Sequence, residues 1–252
     1  MALRLAANIS MLFTELAFLD RIDAAAEAGF DGVECQFPYD QDPAQVAAQL
    51  ARAGLPMVLV NAPPGADGER GLAALPGRDA EFDVAIAAAI AMATALGVPR
   101  IHVLAGRAPF DRALMAARFG RAAAAMAPRG LTALIEPINP IDVPGYALAS
   151  FADAQALIAA VAAPNLRLQL DLYHWRRMGG RDLAEIEPLL PLVDHVQLAA
   201  VPDRGEPGAA DIALLARLEA AGYRGWIGCE YRPRGATAAG LGWLAEARAR
   251  LG

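Results

Sequence analysis

Cysteine is almost missing from this 252-residue chain. The two that occur, Cys35 and Cys229, cannot build a disulfide framework, and each reads as a small buried apolar side chain of a cytoplasmic protein. Lysine is absent: all 22 basic residues are arginines, scattered along a chain of net charge −6. That pattern excludes a nucleic-acid surface, which relies on clustered positive charge. Long apolar runs are missing as well. The longest, around VAIAAAIAMATALGV, is Ala-rich, follows the charged Glu81 and Asp83, and falls short of the roughly 20 residues that a membrane span needs. It is expected to form a buried helix. The opening MALRLAANISM runs straight into a strand pattern, without the basic and then apolar segments of a secretory leader.

What the chain does have is alternation. Strand signals fall at 3–8, 32–36, 57–61, 100–105, 132–136, 167–171, 195–198 and 226–230. Helical signals fall near 15–28, 43–53, 80–96, 112–127, 151–161, 182–190, 211–221 and 236–251. Gly29, Gly54 and Gly97 stand just past apolar turns, as helix C-caps do, and Pro43 and Asp211 suit helix starts. Strict alternation implies a parallel sheet, because each crossover returns to the same end. Eight such pairs permit closure into a (β/α)8 TIM barrel, and about 250 residues is an ordinary length for one. An open doubly wound sheet is the rival, but no G-x-G-x-x-G follows the first strand. The segments 62–79, 137–150 and 199–210 are long and rich in Pro and Gly, whereas the connections entering the strands are mostly tight. The long loops would form the working face of a single domain spanning 1–252.

Four of the expected strands end in a residue able to bind a cation: LTALIE in Glu136, LRLQLD in Asp171, DHVQ in Gln197 and WIGCE in Glu230. A carboxylate at the end of an apolar strand is costly unless it is paired, hydrogen-bonded or bound to a cation. Barrel strands converge at those ends, so the four residues together suggest a divalent metal in an oxygen-rich pocket. Three carboxylates and one amide carbonyl suit Mg²⁺ or Mn²⁺ better than structural Zn²⁺. Arginines are the competing partners for the same carboxylates.

His174, in DLYHW, points to the same rim if the chain turns into a short helix there; it could bind substrate oxygens, orient a ligand or pack. His195 shares a strand face with Gln197 and would sit deeper, and His102, early in its strand, reads as structural. Arg70 and Arg78 in GERGLAALPGR, and Arg204 in PDRGEPG, each offer a planar fork for a substrate carboxylate, with Arg70 the first choice. Glu34 and Tyr39, near the end of the second strand, could line the pocket; Glu34 could equally pair with an arginine inside the barrel. Trp175 and Trp243 could support a contact in a homo-oligomer, although Trp243 also fits the apolar face of the last helix.

The segments FPYD (37–40), GERGLAALPGR (68–78), EPINPIDVPGY (136–146), DLYHWRRMGG (171–180), HVQLA (195–199), RGEPG (204–208) and GCEY (228–231) resemble the hydroxypyruvate isomerase family. That family is among the xylose-isomerase-like TIM barrels, and the resemblance runs from ANISMLF to AGLGWL, essentially the whole chain. It implies that Glu136, Asp171, Gln197 and Glu230 hold the metal, and that Glu136 and Glu230 double as the acid/base pair. It implies a small-molecule substrate: hydroxypyruvate and 2-hydroxy-3-oxopropanoate (tartronate semialdehyde) would interconvert by proton transfer between adjacent carbons through an enediolate. The related ketose 3-epimerases usually carry a histidine where Gln197 stands, which favours the isomerase branch.

This chain departs from the pattern at Ala200 and Val201, where the family tends to be polar, and in a shortened loop after Asn61. Both changes touch the pocket rim and bear on substrate identity. A 2-oxo-tetronate isomerase or a ketose 3-epimerase on the same site are the alternatives. Apurinic endonucleases resemble a many-histidine, three-zinc site on a basic face, which three histidines and an acidic chain do not suit. A non-catalytic binding barrel is the remaining class.

Overall fold

Each helical segment carries the chain back across the sheet, so consecutive strands run parallel and pair with their sequence neighbours. The computed structural model describes residues 3–251. Its strands are Arg4–Asn8 (β1), Gly32–Cys35 (β2), Met57–Asn61 (β3), Arg100–His102 (β4), Thr132–Ile135 (β5), Leu166–Asp171 (β6), Val193–Leu198 (β7) and Trp226–Cys229 (β8). They close in the order β1 to β8, with β8 pairing back to β1 through Leu5↔Ile227 and its neighbours. The helices are Asp20–Glu27 (α1), Pro43–Ala53 (α2), Asp79–Leu96 (α3), Arg112–Met126 (α4), Phe151–Val161 (α5), Leu172–Arg177 (α6), Ala209–Ala220 (α7) and Gly242–Leu251 (α8). The expected (β/α)8 TIM barrel is therefore the fold, and the open sheet is excluded.

Most of the apolar core lies between strands and helices. A separate small cluster of Ala6, Val58, Leu59, Leu134 and Trp226 closes the bottom of the barrel. The strand residues that share an inward face with it become polar toward the C-terminal ends: Ala6 leads to Asn8, Leu134 to Glu136, and Trp226 past Gly228 to Glu230. Apolar floor and polar mouth are thus encoded two residues apart on β1 and β5 and four apart on β8.

The helix ends follow the cap residues. Asp42 accepts from the Ala44 N–H before Pro43 opens α2, and Gly54 and Gly97 take left-handed φ values of 69° and 67° to end α2 and α3. Asp211 is the third residue of α7 rather than its start, and its carboxylate reaches back to the Gly208 N–H at 2.8 Å.

Three expected helices differ. The one expected at 15–28 begins only at Asp20, because Glu15 is taken by the Thr237 N–H at 2.8 Å and the Phe13 N–H donates to Thr237 Oγ1. The segment 182–190 is not an α-helix: Pro188 interrupts it and Pro191 follows it, leaving 3₁₀ turns at Leu183–Glu185 and Glu187–Leu192. The helix after β6 is instead α6, which starts at the strand end. The last segment divides into a 3₁₀ turn, Thr237–Gly240, and α8.

The Ala-rich α3 is buried on one face only; on the other, Val84 is 70% exposed. Among the described residues, no helix is long and apolar enough to cross a membrane. Trp175 and Trp243 are both buried, so neither offers a subunit contact. Both cysteines are free and buried, as expected.

Candidate active site

The four strand-end residues meet at one end of the barrel. Asp171 is the last residue of β6, Gln197 lies one residue before the end of β7, and Glu136 and Glu230 stand one residue beyond β5 and β8. All four are buried. Glu136, Gln197 and Glu230 line a cavity of about 110 Å³ that opens among the βα loops. Asp171 stands behind them, its Oδ1 capping α6 through the Tyr173 N–H at 2.7 Å.

That cap throws His174 across the carboxylates. Its Nε2 lies 3.6 Å from Asp171 Oδ2 and 3.8 Å from Glu136 Oε1. Ligand atoms of Glu136, Asp171 and His174 all lie within 4.8 Å of one another, a spacing that could hold a metal ion. The tautomer of His174 is decided by Asn139. Asn139 Oδ1 accepts from the Asp142 N–H at 2.9 Å, so its Nδ2 is the atom 2.6 Å from His174 Nδ1. A donor there makes Nδ1 an acceptor and puts the proton of the neutral ring on Nε2. In that form the imidazole is a hydrogen-bond donor toward the carboxylates, so the oxygens supply the better metal ligands.

Arg204 enters the same cluster. Its Nη2 lies 2.8 Å from Glu230 Oε2 and 3.2 Å from Asp171 Oδ2, its Nε donates to the Glu230 carbonyl, and its guanidinium sits over the Tyr173 ring. The other Glu230 oxygen accepts from Gln36 Nε2. Glu136 is less provided for: Oε1 has no hydrogen-bond partner among the described residues, and neither does His102 Nε2, 3.5 Å from Glu136 Oε2.

Burial with few partners moves the ionisations. Desolvation pushes the Glu136 carboxyl well above the usual carboxylate range, and the neighbouring Asp171 and Glu230 charges push it further. Glu230 is raised to about 7, chiefly by burial, with Arg204 pulling it down and Asp171 and Glu34 pushing it up. His102 and His174 are lowered to about 3 and about 4, again by burial, and are neutral near pH 7.

Below this layer Glu34 is fully buried and accepts from Asn8 Nδ2 at 2.9 Å and Gln197 Nε2 at 2.7 Å, with His195 Nε2 at 2.7 Å from its other oxygen. Among the described residues no arginine reaches it, and it lies beneath the cavity rather than lining it, contrary to both readings of Glu34. A Cβ on Gly228 of β8 would overlap its carboxylate, which is why that strand carries glycine there.

The other expected site residues divide. Arg70 is exposed at the cavity mouth and makes no ion pair among the described residues. Arg78 instead turns to Glu69, at 2.9 Å, and to Glu81 at the start of α3. Tyr39 does not line the cavity: its hydroxyl donates to the Asn61 carbonyl at 2.5 Å, and Gln36 and Phe37 form the wall. His102, expected to be structural, closes β4 and lines the cavity, because that strand ends at 102 rather than 105. Gln169 also lines it and was open to discovery by alternation, standing two residues before Asp171.

Comparison with known proteins agrees with the fold. The family model described as xylose isomerase-like TIM barrel matches residues 22–247. The 2-oxo-tetronate isomerase of Cupriavidus necator is 46% identical over 252 residues, covering 96% of this chain and 97% of that protein. The hydroxypyruvate isomerase of Escherichia coli (strain K12) is 42% identical over 253 residues, covering 96% and 98%. A crystal structure described as an AP endonuclease, family 2, from Brucella melitensis superposes with a TM-score of 0.93 at 44% identity, covering 98% of this chain and 99% of that one. The chain belongs to the xylose isomerase-like TIM barrel family, among relatives named as hydroxypyruvate and 2-oxo-tetronate isomerases.

Proposed function

We propose that this protein is a divalent-cation-dependent isomerase of short hydroxy-oxo acids, interconverting hydroxypyruvate and 2-hydroxy-3-oxopropanoate. The observation that carries the reading is the pair of buried glutamates, Glu136 and Glu230, raised in pKa and facing one small cavity beside Asp171. Three buried carboxylates balanced by the single guanidinium of Arg204 leave room for further positive charge, and Glu136 Oε1 has no partner among the described residues. The donor set is therefore suited to a hard dication: Glu136, Asp171 and Glu230 through carboxylates and Gln197 through its carbonyl, with Mg²⁺ or Mn²⁺ the matching ions. When bound, the cation polarises the substrate carbonyl and steadies negative charge on its oxygens.

The proton movements fall to the chain itself. A C–H beside a carbonyl is a weak acid, so the base must be desolvated and close. Glu230 can take a proton from one carbon, and Glu136, lining the same cavity, can exchange one at the next. His174 donates from Nε2 to a substrate oxygen, Arg70 receives the substrate carboxylate at the mouth, and Arg204 offsets the charge on Asp171 and Glu230.

A second reading, 2-oxo-tetronate isomerisation by the same steps, is favoured by the 46% identity to the Cupriavidus necator protein. A net charge of −6 and the small cavity favour a small acid over a phosphodiester backbone. The test is proton NMR of chelator-treated protein with hydroxypyruvate, 2-oxo-tetronate and a neutral ketose, before and after adding Mg²⁺ or Mn²⁺. Metal-restored conversion of one of the two acids supports the reading. Turnover of the ketose alone, or full activity in verified metal-free protein, contradicts it.

A further inference from the structure

We infer that Gln169 is a substrate-binding residue whose side-chain carbonyl accepts the hydroxyl of the bound acid, and that Glu34 is the positioning residue that sets this orientation. The inference rests on the hydroxy-oxo-acid reading above and adds two residues to it.

The relay of hydrogen bonds starts at Glu34. A buried carboxylate offers acceptors, so each amide facing it must turn its NH₂ inward. Asn8 and Gln197 both do, at 2.9 and 2.7 Å on the same oxygen. With its nitrogen committed, Gln197 presents Oε1 to the neighbouring strand, where Gln169 Nε2 donates to it at 2.8 Å. Gln169 then has no freedom to flip, because reversing its amide would set two carbonyl oxygens against each other. Its Oε1 is left as the end of the relay. That atom is buried, has no hydrogen-bond partner among the described residues, and belongs to a side chain in the cavity wall.

An acceptor left without a donor in a buried site costs on the order of 1–3 kcal/mol, so it waits for a ligand that brings one. An ionised hydroxy-oxo acid has acceptors on its carboxylate and its carbonyl; its only donor is the hydroxyl. The chemistry of the two partners therefore pairs Gln169 Oε1 with that group. Gln169 and Gln197 stand on the adjacent strands β6 and β7, Glu34 reaches Gln197 from β2 across the barrel, and Gly228 leaves the space in which the Glu34 carboxylate sits.

The experiment compares two acids that differ by the hydroxyl. Calorimetry of Mg²⁺-loaded protein measures the Kd of pyruvate and of hydroxypyruvate previously brought to isomerisation equilibrium, both isomers of which carry one hydroxyl. Wild-type protein should prefer the hydroxylated acid by roughly fivefold to tenfold, the worth of one hydrogen bond. In Gln169→Met the preference should fall to about one while pyruvate affinity stays within about twofold; Gln169→Asn, which withdraws the carbonyl, serves if the methionine variant does not fold. Glu34→Gln, which lets the Gln197 amide turn over, should lower the same ratio with Gln169 intact. A merely structural role would change both affinities together and leave the ratio alone. A preserved preference in a Gln169 variant that melts like wild type overturns the binding role, and one in Glu34→Gln overturns the positioning role. If wild-type protein binds neither acid, the functional reading itself fails and the inference falls with it.

Discussion

Arg204 Nη2 lies 2.8 Å from Glu230 Oε2, with Asp171 Oδ2 3.2 Å from the same nitrogen. One guanidinium thus contacts two of the three buried carboxylates of the site and offsets one of their charges. Removing one member of a buried charge pair usually costs about 3–5 kcal/mol, because its partners stay desolvated and uncompensated. Metal-free Arg204→Leu should therefore unfold at markedly lower temperature than wild type at pH 8. At pH 5 the gap should shrink, since Glu136 and Glu230 are raised and then carry protons. Adding Mn²⁺ at pH 8 should recover part of the loss. Thermal denaturation at the two pH values, with and without the ion, checks each part.

The raised Glu230 gives metal-free protein a definite pH dependence. Its folded value of about 7 lies above the ordinary 4.5, so the folded state binds more protons than the unfolded chain in that interval. The stability from this group is present in full below pH 4.5 and is lost as pH rises through about 7. A divalent ion competes with the same proton, so Mn²⁺ affinity should climb with pH across that range and then level off. Denaturation in chelator and calorimetric titration with Mn²⁺ at pH 5.5, 6.5 and 7.5 read the two trends. Affinity independent of pH would take Glu230 out of the ligand set.

A buried arginine on α4 governs the loop that carries Arg70. Arg118 donates to the Leu72 and Leu75 carbonyls at 2.5 and 2.6 Å and pairs with Asp79 at 3.1 Å. Arg118→Met would leave both carbonyls without these donors and cost on the order of 3 kcal/mol. The segment 62–78 should loosen, so KM for a carboxylate substrate should rise several-fold while kcat changes little. Urea denaturation and steady-state kinetics measure both, and faster amide exchange at 71–74 would locate the change.

Much of this site was legible because strand periodicity and strand ends are local properties. Apolar runs closing in Glu136, Asp171, Gln197 and Glu230 marked where the barrel opens, and alternation placed His195 below Gln197. What escaped depended on tertiary contacts or on strand length. His102 read as structural because β4 was expected to reach 105, whereas pairing with β5 ends at His102. Arg204 appeared as one loop arginine among several; its reach into the carboxylates depends on a loop in which it adopts a φ of 58°. Tyr39 was misplaced because the chain leaves β2 at Cys35 and turns the tyrosine toward the Asn61 carbonyl. The helix expected from 15 was shortened by Thr237, a residue 222 positions away from Glu15. No local pattern carries such a contact.

The most direct test of the account is the isomerisation rate of Glu136→Gln and Glu230→Gln on hydroxypyruvate, followed by proton NMR in the presence of Mg²⁺ or Mn²⁺. Each variant keeps the shape of the side chain and removes its capacity to exchange a proton. Each should lose about 10²–10⁴-fold in rate, the usual worth of general acid–base help, while melting no lower than wild type. Turnover close to wild type in either variant would contradict the paired-glutamate mechanism.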